Sequence, residues 1–84
     1  MGRFRHTEGL GQQVREAREA AGLTQSELAE RAAMSQQQVS LIERAAVQPM
    51  IDTLQRLAVA LRADWSYDGV RIVFARRRSG RAES

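Results

Sequence analysis

Two helix-start signals in close succession restrict the fold of this chain more than any other feature. Residues 24–27 (TQSE) form a capping box, in which the Thr24 hydroxyl can accept a hydrogen bond from the amide of Glu27 and the Glu27 carboxylate can accept one from the amide of Thr24. Residues 35–38 (SQQQ) repeat the pattern, with Ser at the cap and Gln at the third helical position. The sequence therefore predicts a second helix from Gln25 and a third soon after it, with a short turn between them.

Apolar residues at helical spacing predict a first and a fourth helix on either side of this pair. The first covers residues 10–21, and Gly22 stands where a left-handed C-terminal cap belongs. The fourth covers about residues 51–61, after a loop closed by Pro49, and it lacks a good cap because Met50 stands where a hydroxyl or Asx side chain is preferred. The residues on the predicted apolar faces are Leu10, Val14, Ala17, Ala21, Leu28, Ala29, Ala32, Val39, Ile42, Leu54, Leu57, Ala58 and Leu61.

The end of the chain changes to the alternating pattern of a β-strand. Residues 70–76 (VRIVFAR) are β-branched or aromatic at alternate positions and follow a turn at residues 68–69. Such a strand can fold back as a tight hairpin on residues 65–67, or it can pair with the same strand of a second copy. We favour the second arrangement, because an arm of three residues leaves much of the strand unpaired. The predicted dimer-strand residues are Val70, Ile72, Val73 and Phe74.

Composition argues against most enzymatic chemistry and against a membrane protein. With no Cys and a single histidine, His6, the chain offers no thiol nucleophile, histidine metal cluster or Ser/His/Asp triad. No apolar segment approaches the roughly 18 residues of a membrane helix, and the N-terminus lacks an apolar signal core. A domain of this size buries only about 60% of its unfolded surface, which favours self-association. We therefore expect a cytoplasmic, homodimeric, non-enzymatic protein without cofactor or metal.

The net charge of +3 comes from the two ends of the chain, which are basic, whereas the central residues are slightly acidic. Residues 10–69 contain six Arg and eight acidic residues, so the charge of the central domain gives no support for nucleic-acid binding. The basic ends can neutralise phosphates or enter a minor groove, or they can simply be solubilising tails. The candidate DNA-contacting residues of the arm and tail are Arg3, Arg5, Arg76, Arg77 and Arg78.

The second and third helices together form a helix-turn-helix, and the outward side of the third is rich in amides. Gln36 and Gln37 can each donate and accept a hydrogen bond, which matches the N6 donor and N7 acceptor of adenine in the major groove. Leu41, one turn later, suits a thymine methyl group. The alternative is that the glutamines are only solvated helix residues. We prefer base recognition, because the glutamines open a capped helix directly after a turn of the right length.

Residues 23–29 (LTQSELA), residues 35–44 (SQQQVSLIER) and Pro49 with Leu54 and Leu57 resemble the Xre/Cro family of phage-repressor-like helix-turn-helix domains. The resemblance covers about residues 10–61. It implies an all-helical domain of four or five helices that binds double-stranded DNA as a dimer at a palindromic operator, with the third helix in the major groove. The base-reading positions implied are Gln36, Gln37, Ser40 and Leu41. The phosphate-contacting position implied is Gln25. Thr24, Ser35 and Arg44 are further candidates for phosphate contacts. The implied structural ion pair is Arg18 with Glu43.

The sequence departs from the family pattern at three places. Ala33 stands in the turn where the family usually has Gly, and Ala45 stands where Gly commonly follows the third helix. If those backbones are left-handed, each Ala costs about 1 kcal/mol or somewhat more. The last family helix is missing, and residues 65–76 take its place. A C-terminal strand on this domain resembles short antitoxins of bacterial toxin-antitoxin operons, in which it forms a two-stranded dimer ribbon.

The sequence thus predicts a mainly α, repressor-like helix-turn-helix domain with a C-terminal β-strand paired across a dimer. Residues 1–9 are a flexible basic arm, 10–62 the DNA-binding domain, 63–76 the turn and dimerisation strand, and 77–84 a basic disordered tail. The function we infer is a sequence-specific dimeric transcriptional regulator, most simply a repressor. The first alternative is an antitoxin that neutralises a toxin protein and represses its own operon. The second is an adapter that bridges transcription proteins without reading bases.

Overall fold

A computed structural model describes residues 9–67 and 72–76 of the chain. It contains four helices, α1 (Leu10–Ala20), α2 (Gln25–Arg31), α3 (Gln36–Glu43) and α4 (Ile51–Leu61), followed by the strands β1 (Ala63–Tyr67) and β2 (Ile72–Arg76). The four predicted helices are confirmed, with ends that differ by about one residue. His6, Val70 and the turn at residues 68–69 lie outside the described residues.

The first capping box forms as predicted, and the second forms only in part. The Thr24 hydroxyl accepts from the Glu27 amide at 3.0 Å, and a Glu27 carboxylate oxygen accepts from the Thr24 amide at 2.8 Å. The Ser35 hydroxyl accepts from the Gln38 amide at 3.1 Å, but the contacts of the described residues include no return bond from the Gln38 side chain. A neutral amide is a weaker acceptor than a carboxylate, so it holds the cap amide less firmly.

The two alanines that replace the family's usual glycines both have left-handed backbones. Ala33 has φ 58° and ends the turn that follows α2, and Ala45 has φ 60° after the last residues of α3. In each case the next amide closes the helix, from Met34 to the Ala29 carbonyl and from Ala46 to the Leu41 carbonyl, both at 2.9 Å. Both turns thus keep the helix-ending geometry of a glycine cap and carry the steric cost of a Cβ.

We expect Ala33→Gly and Ala45→Gly each to raise the free energy of unfolding by about 1 kcal/mol, because glycine removes the Cβ strain at positive φ. Urea denaturation followed by circular dichroism measures this change. Ala20→Gly, at an exposed helical position of α1, is the matched control and should instead lower stability by up to about 1 kcal/mol. Loss of stability at Ala33 or Ala45 would contradict the prediction.

The C-terminal strand pairs within the chain, so our preference for pairing across a dimer is wrong and the hairpin alternative is correct. β1 and β2 are antiparallel, with Trp65 opposite Phe74. The reason lies at the end of α4, where Arg62 takes a left-handed conformation with φ 53° and turns the chain directly into a strand at Ala63. The first arm therefore has five residues rather than three and matches the length of β2.

The hairpin places two predicted dimer-strand residues in the core of their own chain. Ile72 and Phe74 are 8% and 2% exposed, whereas Val73 points to the opposite face and is 39% exposed. On the outer edge of β2, the Phe74 amide donates to the Gln13 side-chain oxygen of α1. This bond holds the hairpin against α1. It also uses an amide that a second strand would need, so the edge of β2 is blocked at Phe74.

The core lies between the helices and the inner face of the hairpin. The core residues predicted from the sequence are buried except Ala21, which is partly buried against the core, and Leu23, Ala63, Ile72 and Phe74 join them. None of the helices in residues 9–67 is long and apolar enough to cross a bilayer.

Candidate nucleic-acid interface

The buried side of α3 fixes which of its residues face outward. Val39 and Ile42 are 0% and 3% exposed and anchor the helix on the core. On the other side Gln36 and Gln37 are exposed in the first turn, and the next two predicted reading positions, Ser40 and Leu41, are half-buried. The four positions predicted to read bases therefore lie on the outward side of one helix.

The side chains that open α2 and α3 are bonded to each other. Gln36 Nε2 donates to Gln25 Oε1 at 2.8 Å. This bond uses one of the two amide protons of Gln36 and leaves its other N–H and its side-chain oxygen available. Sequence reasoning assigned the two glutamines to separate DNA contacts and missed their link. The signal for it was that an amide residue occupies the first position of both neighbouring helices.

The Gln25 amide continues this chain of hydrogen bonds towards the core. Its Nε2 donates to Glu43 Oε1 at 3.1 Å. Glu43 in turn accepts from Arg18 through two bonds, Nε to Oε2 at 2.7 Å and Nη2 to Oε1 at 3.1 Å, and Arg18 Nη1 also donates to the Leu23 carbonyl at 2.8 Å. We call the connected side chains of Arg18, Glu43, Gln25 and Gln36 the polar relay.

The ion pair at the inner end of the polar relay is nearly removed from solvent. The Arg18 and Glu43 side chains are 12% and 4% exposed. The hydrogen bond that Arg18 donates to Glu43 raises the pKa of Arg18 above its ordinary value, although burial acts in the opposite direction. The pair implied by the family resemblance is thus present, and it joins α1 to the C-terminal end of α3.

The predicted phosphate contacts lie at the ends of α2 and α3. The Thr24 and Ser35 hydroxyls are exposed and accept helix-capping bonds. Each keeps its own O–H proton for donation to an acceptor such as a phosphate oxygen. Arg44 is exposed after the last turn of α3, where its Nε donates to the Ser40 carbonyl at 3.4 Å. The roles of these residues, and of the reading positions, stay predictions.

The basic arm and tail are not placed by the structure. Arg3, Arg5, Arg77 and Arg78 lie outside the described residues, and Arg76 ends β2 with a side chain that is not described. Their assignment to DNA contacts therefore stays a prediction.

Comparisons with known proteins agree with this geometry. The family model described as "Helix-turn-helix" matches residues 14–67. A crystal structure of the restriction-modification controller protein C.AhdI from Aeromonas hydrophila is similar, with 35% identity and a TM-score of 0.61 over 62% of this chain and 79% of that one. The N-terminal DNA-binding domain of SinR from Bacillus subtilis is similar too, with 31% identity and a TM-score of 0.64 over 71% of this chain and 86% of that one. No curated protein matched the chain.

Proposed function

Because the chain belongs to the Xre/Cro-like helix-turn-helix family of DNA-binding transcriptional regulators, we propose that it is a non-enzymatic, sequence-specific repressor that binds a palindromic operator as a dimer. The observation that carries the proposal is the exposed Gln36 amide, held by Gln25 at the start of α3. Repression needs only occupancy of a promoter, which a small DNA-binding domain can provide without a further activity.

Gln36 has the hydrogen-bonding groups that adenine recognition requires. Its free side-chain oxygen can accept from adenine N6, and its second N–H can donate to N7. Gln37 is exposed beside it, and Leu41 offers an apolar contact for a thymine methyl one turn later. Thr24, Ser35 and Arg44 would hold the phosphates, which positions the helix without adding sequence information.

We expect Gln36→Ala to weaken binding to the preferred site by about 1–3 kcal/mol and to leave binding to random DNA nearly unchanged. Fluorescence anisotropy measures both affinities, with a duplex selected from a random library by the wild-type protein. Gln38→Ala is the matched control, because Gln38 is exposed on the same helix but lies off the outward side. Equal losses on selected and random DNA would contradict base reading.

For dimerisation, the outer face of α4 is better suited than the C-terminal strand. Ile51 and Val59 are 60% and 69% exposed, and Gln55 lies midway between them on the same face of the helix. This stripe is symmetric about Gln55, so an antiparallel pair of α4 helices across a twofold axis places Ile51 of one copy against Val59 of the other. Exposed Met50 extends the apolar surface at one end.

We expect Val59→Glu to raise the dissociation constant of the dimer at least about tenfold, because it introduces a charge into the apolar contact. Sedimentation equilibrium measures this change. Val73→Glu is the control, since Val73 is an exposed apolar residue on the outer face of the hairpin. If Val73→Glu dissociates the dimer and Val59→Glu does not, the dimer contact lies in the C-terminal strand rather than in α4.

The two alternative functions stay predictions. The antitoxin hypothesis was drawn from a strand paired across a dimer, and the intrachain hairpin removes that reason for it. A toxin protein that co-purifies with the chain would restore the hypothesis. For the adapter, the deciding result is failure to select any consensus from random DNA.

A further inference from the structure

We propose that Glu43 is a positioning residue for base recognition. Through Gln25, its carboxylate fixes the orientation of the Gln36 amide, and so determines whether the Gln36 oxygen is free to face the DNA. The inference rests on the proposed reading of adenine by Gln36. It goes further because it assigns part of the sequence preference to a side chain that is 4% exposed and is bonded to Arg18 and Gln25 in the interior of the domain.

The hydrogen-bonding polarity of the relay runs in one direction. A carboxylate only accepts hydrogen bonds, so Gln25 must turn its NH₂ group towards Glu43. The Gln25 oxygen then faces Gln36, which must donate to it from its own NH₂ group. The Gln36 oxygen and remaining N–H are left in one defined arrangement, and this is the pair of groups that adenine requires.

Arg18 holds the Glu43 carboxylate, which sets this direction, in place. Its two bonds to the Glu43 carboxylate, at 2.7 and 3.1 Å, hold the side chain, and its third bond to the Leu23 carbonyl at 2.8 Å fixes the guanidinium itself. Both oxygens of the Glu43 carboxylate accept from Arg18, so the group facing Gln25 is an acceptor and offers no donor. The anchor therefore cannot reverse the direction of the relay.

Without a carboxylate at this position the direction of the relay is no longer imposed. The Gln25 and Gln36 amides can then turn over together, with Gln25 donating to Gln36. In that arrangement the Gln36 oxygen is used by Gln25, and N–H donors are presented towards the DNA, where adenine N6 needs an acceptor. Discrimination between bases falls, whereas the predicted phosphate contacts of Thr24, Ser35 and Arg44, which lie outside the polar relay, are kept.

The test compares affinities of full-length variants for two duplexes. One is the site selected from a random library by the wild-type protein. The other replaces adenine by guanine at the position that Gln36→Ala no longer distinguishes. For Glu43→Gln we expect the affinity ratio between the two duplexes to fall severalfold towards 1, with nearly unchanged binding to random DNA. Glu19→Gln, in the exposed pair with Arg15, should keep the wild-type ratio.

Two further variants separate positioning from a purely structural role. Gln25→Met interrupts the relay but leaves the Arg18–Glu43 pair intact, so its affinity ratio between the two duplexes must also fall. This variant keeps the test valid if Glu43→Gln fails to fold. Leu54→Val lowers stability in the core, away from the relay, and must keep the wild-type ratio among folded molecules.

A wild-type ratio in either Glu43→Gln or Gln25→Met would overturn the proposal while base reading by Gln36 stands. A different result is that the wild-type protein and Gln36→Ala discriminate equally between bases at every position of the selected site. That result would show that Gln36 reads no base. That result would reject the proposed function and the positioning role together.

Discussion

Glu43→Ala is expected to lower the free energy of unfolding by about 3–5 kcal/mol, because it leaves the Arg18 guanidinium nearly buried without its partner. Arg18 is 12% exposed, and it loses both bonds to the carboxylate. The pair also joins α1 to the end of α3, so its loss loosens the position of the reading helix. Since small domains are stable by only about 5–15 kcal/mol, the change is a large fraction of the total.

Urea denaturation of Glu43→Ala and Glu19→Ala provides the comparison. Glu19 is paired with Arg15 at 3.1 Å, but both side chains are more than half exposed, so its loss should cost no more than about 0.5 kcal/mol. The double variant Arg18→Met with Glu43→Leu removes both charges and should recover much of the loss. Equal costs for Glu43→Ala and Glu19→Ala would show that burial does not strengthen the pair.

The helices could be predicted from the sequence because their signals are local. The hydroxyl of Thr24 and the carboxylate of Glu27 are close along the chain, so the cap that they form depends on few distant residues. The possible strain at Ala33 and Ala45 could be anticipated for the same reason. A left-handed residue that ends a helix depends on the backbone next to it.

The partner of the C-terminal strand could not be predicted in this way. It depends on the left-handed conformation of Arg62, for which the sequence gives no signal such as Gly or Asn. It also depends on the bond between Gln13 and Phe74, whose residues lie far apart in the sequence. The hairpin is therefore a product of tertiary packing.

The candidate site was predictable as a set of residues but not as a network. Gln25 and Gln36 could be placed at the starts of adjacent helices, which assigns each a surface to face. The bond between them and the bond from Gln25 to Glu43 depend on how α2 crosses α3. The sequence therefore predicts which side chains lie on the outward surface of the two helices, whereas the structure is needed to see what orients them.

The position of α3 also depends on a glycine inside α1, which leads to a second large expected effect. A Cβ added at Gly11 would lie 2.5 Å from the Ile42 carbonyl oxygen and 2.6 Å from that of Glu43. Both atoms belong to the backbone of α3, so no side-chain rotation relieves the contact. We expect Gly11→Ala to lower the free energy of unfolding by about 3 kcal/mol, by forcing the two helices apart.

The sign of this change makes the test decisive. Glycine to alanine inside a helix ordinarily stabilises by about 0.5–1 kcal/mol, so a stabilised Gly11→Ala in urea denaturation would mean that α1 and α3 are not in close contact. Gly22→Ala is the control: its φ is 74°, but no atom beyond its chain neighbours lies within 4 Å of an added Cβ, so only backbone strain of about 1–2 kcal/mol applies. Displacing Glu43 should also weaken the orientation of Gln36, so Gly11→Ala should reduce base discrimination as well as stability, whereas Gly22→Ala should reduce stability alone.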